Sequence, residues 1–438
     1  MMNTLYWLTD DLRLQDNPAL VAAAQGDTLT IIFCIDEQRF STDRFGNRGM
    51  GARRWRFVQE SLLDLRQGLA KRGQTLSVLS GNPREVVSGV LRAGRFDRVV
   101  RTRQHTINET ATWQSLSEEF SDILFDEYDS STLYLLPAVN FGESFPATFS
   151  QFRRSLDAVA FRPMAREPER LPEPGNFGLD SMVLQATGPS IVPRGGASAG
   201  KEHVDAYFGT HAASTYKETR NDLIGEHSST GFSTWLALGC ISPTQVFERL
   251  GQYESINGAN DSTGWITFEL MWREFFRWHA RYHGHALFEF TGINGQRPLT
   301  TFYRERFLKW CDGNTPWPIV NACMQELNET GLLSNRGRQI AASSLVNELG
   351  LDWRCGAGYF EERLVDYDPC SNWGNWQYIA GVGSDPRGGR HFNLEKQAET
   401  WDPKGIYRRR WARESTTGPL DSQDYYGWPV EVQDRDSS

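Results

Sequence analysis

The stretch Thr28-Leu-Thr-Ile-Ile-Phe-Cys-Ile35 is a continuous run of apolar and β-favouring residues near the start of the chain. A strand without alternating polar positions is typical of a parallel sheet that is covered by helices on both faces. Shorter strand-like runs lie around it, at residues 5–8, 76–79 and 99–100. The first third of the chain is therefore predicted to contain a buried parallel sheet.

Helix patterns separate these strands. Residues 53–72 place their apolar side chains on one helical stripe. Asn17-Pro18 and Asn82-Pro83 each put a capping residue before a proline, which is the usual order at a helix start. This alternation predicts a doubly wound, Rossmann-like α/β domain over residues 1–135. Its first strand–helix turn has no GxGxxG, so the usual dinucleotide fingerprint is absent.

The pattern changes after the α/β part. Pro, Gly, Ser and Glu dominate from about residue 162, and we predict an interdomain linker over residues 136–200. Beyond it the periodicity is helical with little strand character, which predicts an all-helical domain over residues 201–413 and a polar tail over 414–438. The helix candidates are residues 245–250, 265–282, 318–330, 336–349 and 358–364.

The composition excludes several classes of protein. The 438 residues are 39% hydrophobic and 23% charged, as in ordinary globular proteins, and the net charge of −9 argues against a general nucleic-acid coat. A local basic cleft stays compatible, because phosphate contacts need only a few arginines. The six cysteines form no CxxC pair, which indicates a reduced compartment and no metal site. Without a leader or a long apolar run, the sequence predicts a soluble, cytoplasmic protein.

Two segments of the helical half mix polar and aromatic side chains. Several hydroxyl groups at residues 228–234 open a helix, where free backbone N–H groups favour a phosphate; a plain N-cap serine is the alternative. Glu269, Trp272 and Arg273 share one face of the next helix. Charges on a core stripe would be stranded, so this face is predicted to line a cavity. A partly exposed helix edge with a Glu–Arg pair is the alternative.

A third segment, Asp366-Tyr-Asp-Pro-Cys-Ser-Asn372-Trp-Gly-Asn-Trp376-Gln-Tyr378, combines carboxylates, an amide and large aromatic rings. Carboxylates are costly to bury alone, whereas indoles favour dry surroundings. The mixture indicates polar groups directed at a planar heteroaromatic ligand, and helix capping by the Asp residues is the alternative. Arg338, at the start of an apolar helix, can pair with Asp366 or Asp368, and that pairing would explain how the carboxylates tolerate burial.

Five motifs together resemble one family. They are Leu5-Tyr-Trp-Leu-Thr-Asp-Asp-Leu-Arg-Leu-Gln-Asp-Asn-Pro-Ala-Leu20, Tyr216-Lys-Glu-Thr-Arg-Asn221, Trp235-Leu-Ala-Leu-Gly-Cys-Ile-Ser-Pro243, Ser334-Asn-Arg-Gly-Arg-Gln339 and Val365-Asp-Tyr-Asp368. The first is similar to the opening strand and loop of the photolyase/cryptochrome family, and the others are most similar to its cryptochrome-DASH branch. The resemblance extends from Leu5 to about Arg410. It implies an N-terminal antenna domain and a C-terminal helical domain that binds FAD.

The resemblance also implies which side chains hold the cofactor. Those expected at the phosphates and ribityl chain are Tyr216, Ser229, Thr230, Phe232, Ser233 and Arg273. Those expected around the isoalloxazine are Asn335, Arg338, Asp366 and Asp368, with Asn372 at the flavin N5. An amide can donate to an unprotonated N5 and accept from a protonated one, so Asn372 suits a fully reduced flavin.

The residues that the resemblance places at the substrate are Glu269, Trp272, Gln339 and Tyr378. Typical DNA photolyases have Met and Trp where this chain has Gln339 and Tyr378, so this pocket is expected to be more polar and to stack a flipped base less well. The implied activity is light-driven repair of cyclobutane pyrimidine dimers in single-stranded or looped DNA, with RNA as a further candidate partner. The alternative is a blue-light photoreceptor that signals through a partner or nucleic acid without repair. A monomer is expected in either case.

The chain departs from the family at several positions. Trp376 and Trp353 match the first two tryptophans of the family's electron relay, whereas Thr300 stands where the outer tryptophan is expected, with Tyr303, Trp310 and Trp317 as candidate substitutes. Gly231 replaces a basic residue of the phosphate segment. Three further replacements occur before and within one helix, at Pro316, Asn321 and Gln325. These changes concern FAD affinity and the supply of electrons more than the fold.

Asn108 and Glu109 match positions that bind 5,10-methenyltetrahydrofolate in relatives. The resemblance therefore implies a folate antenna here. Surface residues at the start of a helix are an equally compatible interpretation, because one short match decides little.

Overall fold

The computed structural model describes residues 1–139, 141, 144–175, 178–179, 181–186, 193–225, 227–384, 388–412 and 420–421. The predicted polar tail, residues 414–438, lies outside the described residues except for Leu420 and Asp421. One sheet occupies the first part of the chain. Its strands are β1 (Asn3–Leu8), β2 (Thr28–Asp36), β3 (Ser77–Gly81), β4 (Arg98–Thr102), β5 (Leu124–Tyr128) and β6 (Glu173–Pro174).

All pairs in this sheet are parallel, and the main order is β3-β2-β1-β4-β5. β1 is central, since its Leu5 lies opposite Thr30 of β2 and Val99 of β4. Leu29 and Ile32 of β2 are fully buried. The predicted doubly wound parallel sheet is confirmed.

Four helices connect these strands. They are α1 (Pro18–Ala23), α2 (Ala52–Ala70), α3 (Pro83–Ala93) and α4 (Ile107–Glu119). Asn17 caps α1 by accepting from the Leu20 amide, and Asn82 caps α3 by accepting from the Arg84 amide, as the Asn-Pro pairs predict.

Alternate residues of β1 enter separate cores on the two faces of the sheet. Tyr6 and Leu8 belong to a core that includes α1 and α2, whereas Leu5 and Trp7 belong to a core that includes α3 and α4. Because successive side chains point to opposite faces, burial on both faces requires an apolar residue at every position. This explains the unbroken apolar runs that predict the sheet.

The segment that the sequence predicts as a linker carries structure of its own. It contains α5 (Phe149–Ser155), β6 and the start of α6 (Ala197–Phe208). β6 pairs with the start of β2, opposite Thr28 and Leu29. Part of the linker therefore extends the sheet of the first domain.

The rest of the described chain is helical. Its helices are α7 (Tyr216–Thr219), α8 (Ser233–Ala237), α9 (Pro243–Asn257), α10 (Asp261–His283), α11 (Arg304–Cys311), α12 (Pro318–Thr330), α13 (Asn335–Ser343), α14 (Trp353–Arg363), α15 (Pro369–Ala380), α16 (Leu394–Trp401) and α17 (Ile406–Trp411). This confirms the helical class of the second half. None of the helices in the described ranges is long and apolar enough to cross a membrane.

The predicted helices 245–250 and 265–282 lie within the longer helices α9 and α10, and two other helix boundaries also differ from the sequence prediction. The helix predicted over 336–349 ends as an α-helix at Ser343 and continues as a π-helix, Ser344–Glu348. The helix predicted over 358–364 begins earlier, at Trp353, because Asp352 caps it through the Arg354 amide. Asp352 is polar, so a pattern of apolar residues alone does not show that the helix begins after it.

A buried ion pair joins the two halves and the linker. Arg162 donates from two nitrogens to the two carboxylate oxygens of Asp16, each at 2.7 Å, and the side chains are 2% and 0% exposed. The same carboxylate accepts from the Ser242 hydroxyl, at the start of α9, and from the Ala165 amide. Such a bidentate pair with every oxygen satisfied is the form in which buried charges are tolerated.

Glu326, on α12, gives stability that depends on pH. Burial raises its pKa to about 7, although its carboxylate accepts a hydrogen bond from Tyr407 of α17. Because the folded protein holds this proton more tightly than the unfolded chain, stability falls as pH rises from about 4.5 to about 7. We expect Glu326→Gln to be more stable than the parent above pH 7, by up to about 3 kcal/mol, with no difference below pH 4.

Urea unfolding across this pH range measures the effect. Glu305→Gln, in a partly exposed Glu–Lys pair on α11, is the control and should change stability by less than about 0.5 kcal/mol. Equal pH profiles for parent and Glu326→Gln would contradict the assignment.

Candidate functional site

The Asp366 carboxylate lies just before α15 and is held by Arg338 of α13. One guanidinium nitrogen of Arg338 lies 2.9 Å from one carboxylate oxygen and 2.7 Å from the other. Asp366 is buried, whereas the Arg338 side chain is 30% exposed. The structure confirms the predicted pairing of Arg338 and assigns it to Asp366.

The second carboxylate, Asp368, has a different partner that the sequence analysis did not find. Arg277 of α10 donates to Asp368 at 2.7 Å, and both side chains are buried. Burial alone would raise the pKa of Asp368, but the charges of Arg277 and Arg273 and the bond from the Ser371 amide outweigh it and lower that pKa. Arg277 lies one helical turn after Arg273, so the face already singled out on α10 contained the signal.

Asp368 also caps α15 by accepting from the Ser371 amide at 2.8 Å. The capping interpretation and the ligand interpretation of this segment are therefore compatible for Asp368. One turn into the helix, Asn372 is buried and donates its amide to the Ala357 carbonyl of α14 at 3.0 Å. Its side-chain oxygen keeps acceptor capacity.

The predicted phosphate segment leads into α8. Ser229 and Ser233 are exposed, whereas Phe232 is buried between the rings of His203 and Phe208. α8 has only five residues, so the predicted helix start is short. Exposed hydroxyls with a buried aromatic anchor fit a polar ligand lying across this turn, and Phe232 acts through packing.

Two further predicted phosphate ligands, Tyr216 and Arg273, lie on helices other than α8. Tyr216, on α7, is buried beside Glu269 and Arg220, and burial raises the pKa of its phenol. Arg273 donates to the Ser131 carbonyl at 2.6 Å and to the Leu236 carbonyl of α8 at 3.3 Å. Burial lowers the pKa of Arg273 to about 10. Arg273 thus ties α10 to both α8 and the end of the α/β domain.

Glu269 lies on the predicted pocket face of α10, with a partner from another helix. Arg220 is 2.5 Å from one carboxylate oxygen of Glu269, and the Trp265 indole donates to the same oxygen at 3.0 Å. Burial raises the pKa of Glu269, against the opposing charge of Arg220. A Glu–Arg pair at a partly exposed carboxylate is therefore present, with Arg220 as its cation, whereas Arg273 donates to backbone carbonyls.

Trp272 and Tyr378 meet at this site. Their ring centroids are 6.2 Å apart at an angle of 77°, in an edge-to-face contact. Phe149 of α5 stacks on Trp272 with centroids 3.9 Å apart and planes 6° apart. Arg390 donates to the Tyr378 hydroxyl. The linker therefore supplies one wall of the predicted pocket, which a composition-based linker assignment does not reveal.

The remaining predicted residues on α13 are placed differently. Gln339 is half-buried, and Asn335 is exposed at the first position of the helix, where Ser334 accepts from the Gly337 amide. Next to them, Arg336 donates to the Asn221 side chain at 3.2 Å. Burial lowers the pKa of Arg336, and the nearby positive charges of Arg220 and Arg390 lower it further. Three arginines from separate elements thus surround this region.

The two predicted relay tryptophans are buried on neighbouring helices. Trp376 packs over Gly356 of α14, where an added Cβ would lie 2.3 Å from the indole ring. Trp353 lies one helical turn before Gly356 and is fully buried. Rings in contact with Trp376 are those of Trp310, at 6.2 Å, and Phe360, at 5.1 Å. The Trp376 site is therefore shaped by a glycine that no other residue can replace without displacement.

The predicted antenna residues lie in the first turn of α4. Asn108 is exposed, whereas Glu109 forms an ion pair with Arg39 at 3.2 Å and accepts from the Thr106 hydroxyl. Asp10 lies close enough for the charge of Glu109 to influence it, although burial is the main reason that the pKa of Asp10 is raised to about 6. These contacts are compatible with a folate site at Asn108 and Glu109 and also with ordinary surface residues at the start of a helix.

Comparisons with known proteins identify the family. Residues 4–174 match the family model of DNA photolyase, and residues 265–435 match that of the FAD binding domain of DNA photolyase. The cryptochrome DASH of Idiomarina loihiensis is 44% identical, with 97% of this chain and 96% of that protein covered. The cryptochrome DASH of Vibrio parahaemolyticus is 42% identical, with 98% and 97% covered. This chain belongs to the cryptochrome-DASH branch of the photolyase/cryptochrome family.

Solved structures agree with this cryptochrome-DASH assignment. A cryptochrome of Synechocystis sp. superposes with a TM-score of 0.89 at 36% identity, over 94% of this chain and 88% of that one. A class III photolyase of Agrobacterium tumefaciens superposes with a TM-score of 0.80 at 26% identity, over 94% and 86%. The protein is a blue-light flavoprotein of the cryptochrome-DASH type with an FAD-binding domain.

The described side chains of this cryptochrome fit a flavin. Each oxygen of Asp366 accepts one bond from Arg338, and a carboxylate oxygen has a second lone-pair position that can accept a ring N–H. The Nε of Arg277 is buried without a partner among the described residues, so donor capacity remains beside Asp368. Fixed donors and acceptors near the buried Asn372 amide suit a flat ring that carries both kinds of group.

The structure shows local contacts for the residues that depart from the family pattern. Gly231 has a positive φ of 64°, and a Cβ there would lie 3.1 Å from the His203 ring. Asn321 accepts from the Thr315 amide and hydroxyl and donates back to its carbonyl. Gln325 donates to the Asp312 carbonyl. The latter two side chains therefore fix the loop that contains Pro316 before α12.

Proposed function

We propose that this cryptochrome repairs cyclobutane pyrimidine dimers in single-stranded or looped DNA, with FAD held as described above. The observation that carries the proposal is the convergence of Glu269, Trp272 and Tyr378. A part-buried carboxylate and two rings from α10 and α15 lie within one region. When bound and reduced, FAD supplies the electron that splits the dimer under light.

Glu269 is suited to stabilise negative charge that develops on a pyrimidine. Burial raises the pKa of this carboxyl, which favours its protonated form, and a protonated carboxyl donates a hydrogen bond. Arg220 fixes its orientation and adds a positive charge at 2.5 Å. A preorganised donor of this kind stabilises charge that forms during the reaction.

Trp272 and Tyr378 offer edge-to-face ring surfaces to a flat base. The rear of Trp272 is already covered by Phe149, so only the opposite face and the ring edge remain for a ligand. The phenol of Tyr378 is polar and bonded to Arg390, which makes this side wetter than an indole would. A weaker stacking site favours a substrate that is already unpaired, because flipping a base out of a duplex costs a few kcal/mol.

Arg220, Arg336 and Arg390 support contact with a phosphate backbone. They come from three separate elements, and the pKa of Arg336 is lowered by burial and by the charges of the other two. Mutual repulsion of this kind is relieved by an anion, so a nucleic-acid strand crossing this region gains electrostatic free energy. A local arginine cluster reconciles nucleic-acid binding with the net charge of −9.

We also infer that Asn108 and Glu109 bind 5,10-methenyltetrahydrofolate as an antenna. The support is the residue match together with a charged group of Arg39, Glu109 and Asp10 at one place in the α/β domain. Glu109 and Asp10 offer carboxylate acceptors for the amino group and ring N–H of a pterin.

Repair of a dimer-bearing oligo(dT) by the reduced holoprotein tests the proposed activity. We expect thymine absorbance to recover under blue light, and Glu269→Ala to lower the repair yield at least about tenfold, since a hydrogen bond to a charged group contributes about 1.5–3 kcal/mol. Glu348→Gln, in an ion pair with exposed His391, is the control and should repair normally.

The outcomes of this experiment distinguish dimer repair from photoreception without repair. No recovery on single-stranded substrate, despite full FAD occupancy and binding of the strand, would exclude repair and favour a photoreceptor that binds nucleic acid. Normal repair by Glu269→Ala would show that this carboxyl does not stabilise the reacting pyrimidine.

A further inference from the structure

The place of the family's outer relay tryptophan is occupied by Thr300. The Thr301 amide donates to the Gly350 carbonyl at 3.0 Å, and the Asp352 amide donates to the Thr301 carbonyl at 2.7 Å. These bonds fix Thr300 beside the first residue of α14, Trp353. An aliphatic hydroxyl cannot give up an electron as an indole does, so the relay needs another exit from Trp353.

A second indole contacts Trp353 from another direction. The ring centroids of Trp353 and Trp373 are 5.6 Å apart at 78°. Trp353 is fully buried, whereas Trp373, on the same helix as Trp376, is partly exposed. A chain of rings that starts in the interior and ends at partly exposed indole is therefore present without Thr300.

We propose that Trp373 is the terminal electron donor of this protein, in place of the outer tryptophan that Thr300 replaces. The route runs from Trp376 to Trp353, a step that the family resemblance implies, and then across the observed ring contact to Trp373. The proposal rests on the flavin site described above, because Trp376 must adjoin the bound flavin.

Trp373 also has the groups needed to release a proton after it loses an electron. Its indole N–H donates to the Tyr367 hydroxyl at 3.1 Å. Glu361 lies close enough to Tyr367 and Trp373 for both side chains to influence its pKa, and burial raises that pKa and so makes Glu361 a better base. An oxidised indole is a strong acid, and transfer of its proton to Glu361 leaves a neutral radical that recombines slowly.

The electrons and protons balance with an added thiolate as the reductant. Under light, Trp376 would give one electron to the bound flavin and would be refilled from Trp353 and then from Trp373. Oxidised Trp373 passes its indole proton to the Tyr367 hydroxyl, which gives its own proton to Glu361. The thiolate then gives one electron to the Trp373 radical and Glu361 returns the proton, so the net change is one electron moved from thiolate to flavin.

Trp310 is the competing terminal donor. It has neither partial exposure nor a base beside its indole N–H. Trp310 contacts Trp376 at 6.2 Å but is fully buried, among Phe307, Tyr359 and Phe360. Its indole N–H donates to the Ala341 carbonyl, which is not a base that can accept the proton. A positive charge that moves to Trp310 therefore stays in a dry environment and returns to Trp376.

The test compares Trp373→Phe with Trp310→Phe in holoprotein of matched FAD occupancy. We expect Trp373→Phe to shorten the lifetime of the tryptophanyl radical and to lower the quantum yield of flavin photoreduction by thiol several-fold. Trp310→Phe should leave both unchanged. Unchanged photoreduction in Trp373→Phe, or its loss in Trp310→Phe, would overturn the proposal.

Two further readouts distinguish an electronic role from a structural one. Electron paramagnetic resonance of the parent should show a neutral tryptophanyl radical that is absent from Trp373→Phe. Glu361→Gln keeps an acceptor but removes the base, and we expect it to leave the radical cationic and short-lived; a long-lived neutral radical in Glu361→Gln would contradict the assigned proton acceptor. Parent protein that does not retain FAD would refute the flavin site, an outcome separate from a failed relay.

Discussion

Replacing Arg162 with methionine is expected to lower the free energy of unfolding by about 3–5 kcal/mol, the range for removing one partner of a buried ion pair. Asp16 would keep its hydrogen bonds from Ser242 and from the Ala165 amide but would lose its only bidentate cation. Its carboxylate is 0% exposed, so water cannot replace the arginine. Unfolding in urea at pH 7 measures the loss.

The pH dependence of this loss identifies its cause. Burial raises the pKa of Asp16, but the hydrogen bonds and charge of Arg162 outweigh that effect and hold the pKa below its usual range. The stability that this carboxylate contributes is therefore present above its unfolded pKa and is lost as pH falls through its folded pKa. We expect the difference between parent and Arg162→Met to shrink on acidification, because a protonated Asp16 needs no cation.

Lys201→Met is the control for loss of a positive charge. Lys201 pairs with Asp205 on the surface of α6, with side chains 65% and 43% exposed, and its removal should cost less than about 1 kcal/mol. The double variant Arg162→Met/Asp16→Asn should be more stable than Arg162→Met, since it removes the buried carboxylate that has lost its bidentate partner. An Arg162→Met protein as stable as the Lys201→Met control would refute the importance of this ion pair.

The second large effect is expected for Arg338→Met, which should lower both the affinity for FAD and the free energy of unfolding. Without Arg338 the buried Asp366 carboxylate has lost its cation, so it takes up a proton or turns away from the flavin edge. Because hydrogen bonds to charged groups contribute about 1.5–3 kcal/mol, FAD affinity should fall at least about tenfold. Flavin fluorescence during titration of the FAD-free protein measures the affinity.

A closely matched ion pair exists away from the site. Arg408 and Asp402, which join α16 and α17, have side chains 32% and 3% exposed, against 30% and 2% for Arg338 and Asp366. Arg408→Met should therefore cost similar stability but retain FAD. Equal FAD loss in both variants would mean that the Arg338 effect is general unfolding and that Asp366 is not a flavin ligand.

The sequence predicts a structural feature well when residues within one helix or strand are enough to determine it. β2 is apolar at nearly every position because both faces of the sheet are covered, and the Asn-Pro pairs start α1 and α3 through local capping bonds. The sequence also predicts that Arg338 pairs with Asp366 or Asp368, because a buried carboxylate in an aromatic segment requires a cation, and the structure selects Asp366.

The partners supplied by distant elements were beyond such reasoning. Glu269 carries no local signal that its cation comes from Arg220 rather than from Arg273 one turn away, since spacing favours the neighbour. Phe149 lies in a segment whose composition predicts a linker, yet it forms a wall against Trp272. Tertiary packing decides these contacts, and one sequence does not contain the relative placement of helices.

The Asp16 ion pair has a consequence for the order in which the chain is completed on the ribosome. The carboxylate is made among the first twenty residues, but its cation is Arg162 and its hydroxyl donor is Ser242. A nascent α/β half ending at residue 135 would have strands β1 to β5 in place, but its Asp16 carboxylate would have neither partner. The first domain is therefore finished by parts of the chain that are translated after it, so its final stabilisation waits until α9 has begun to emerge.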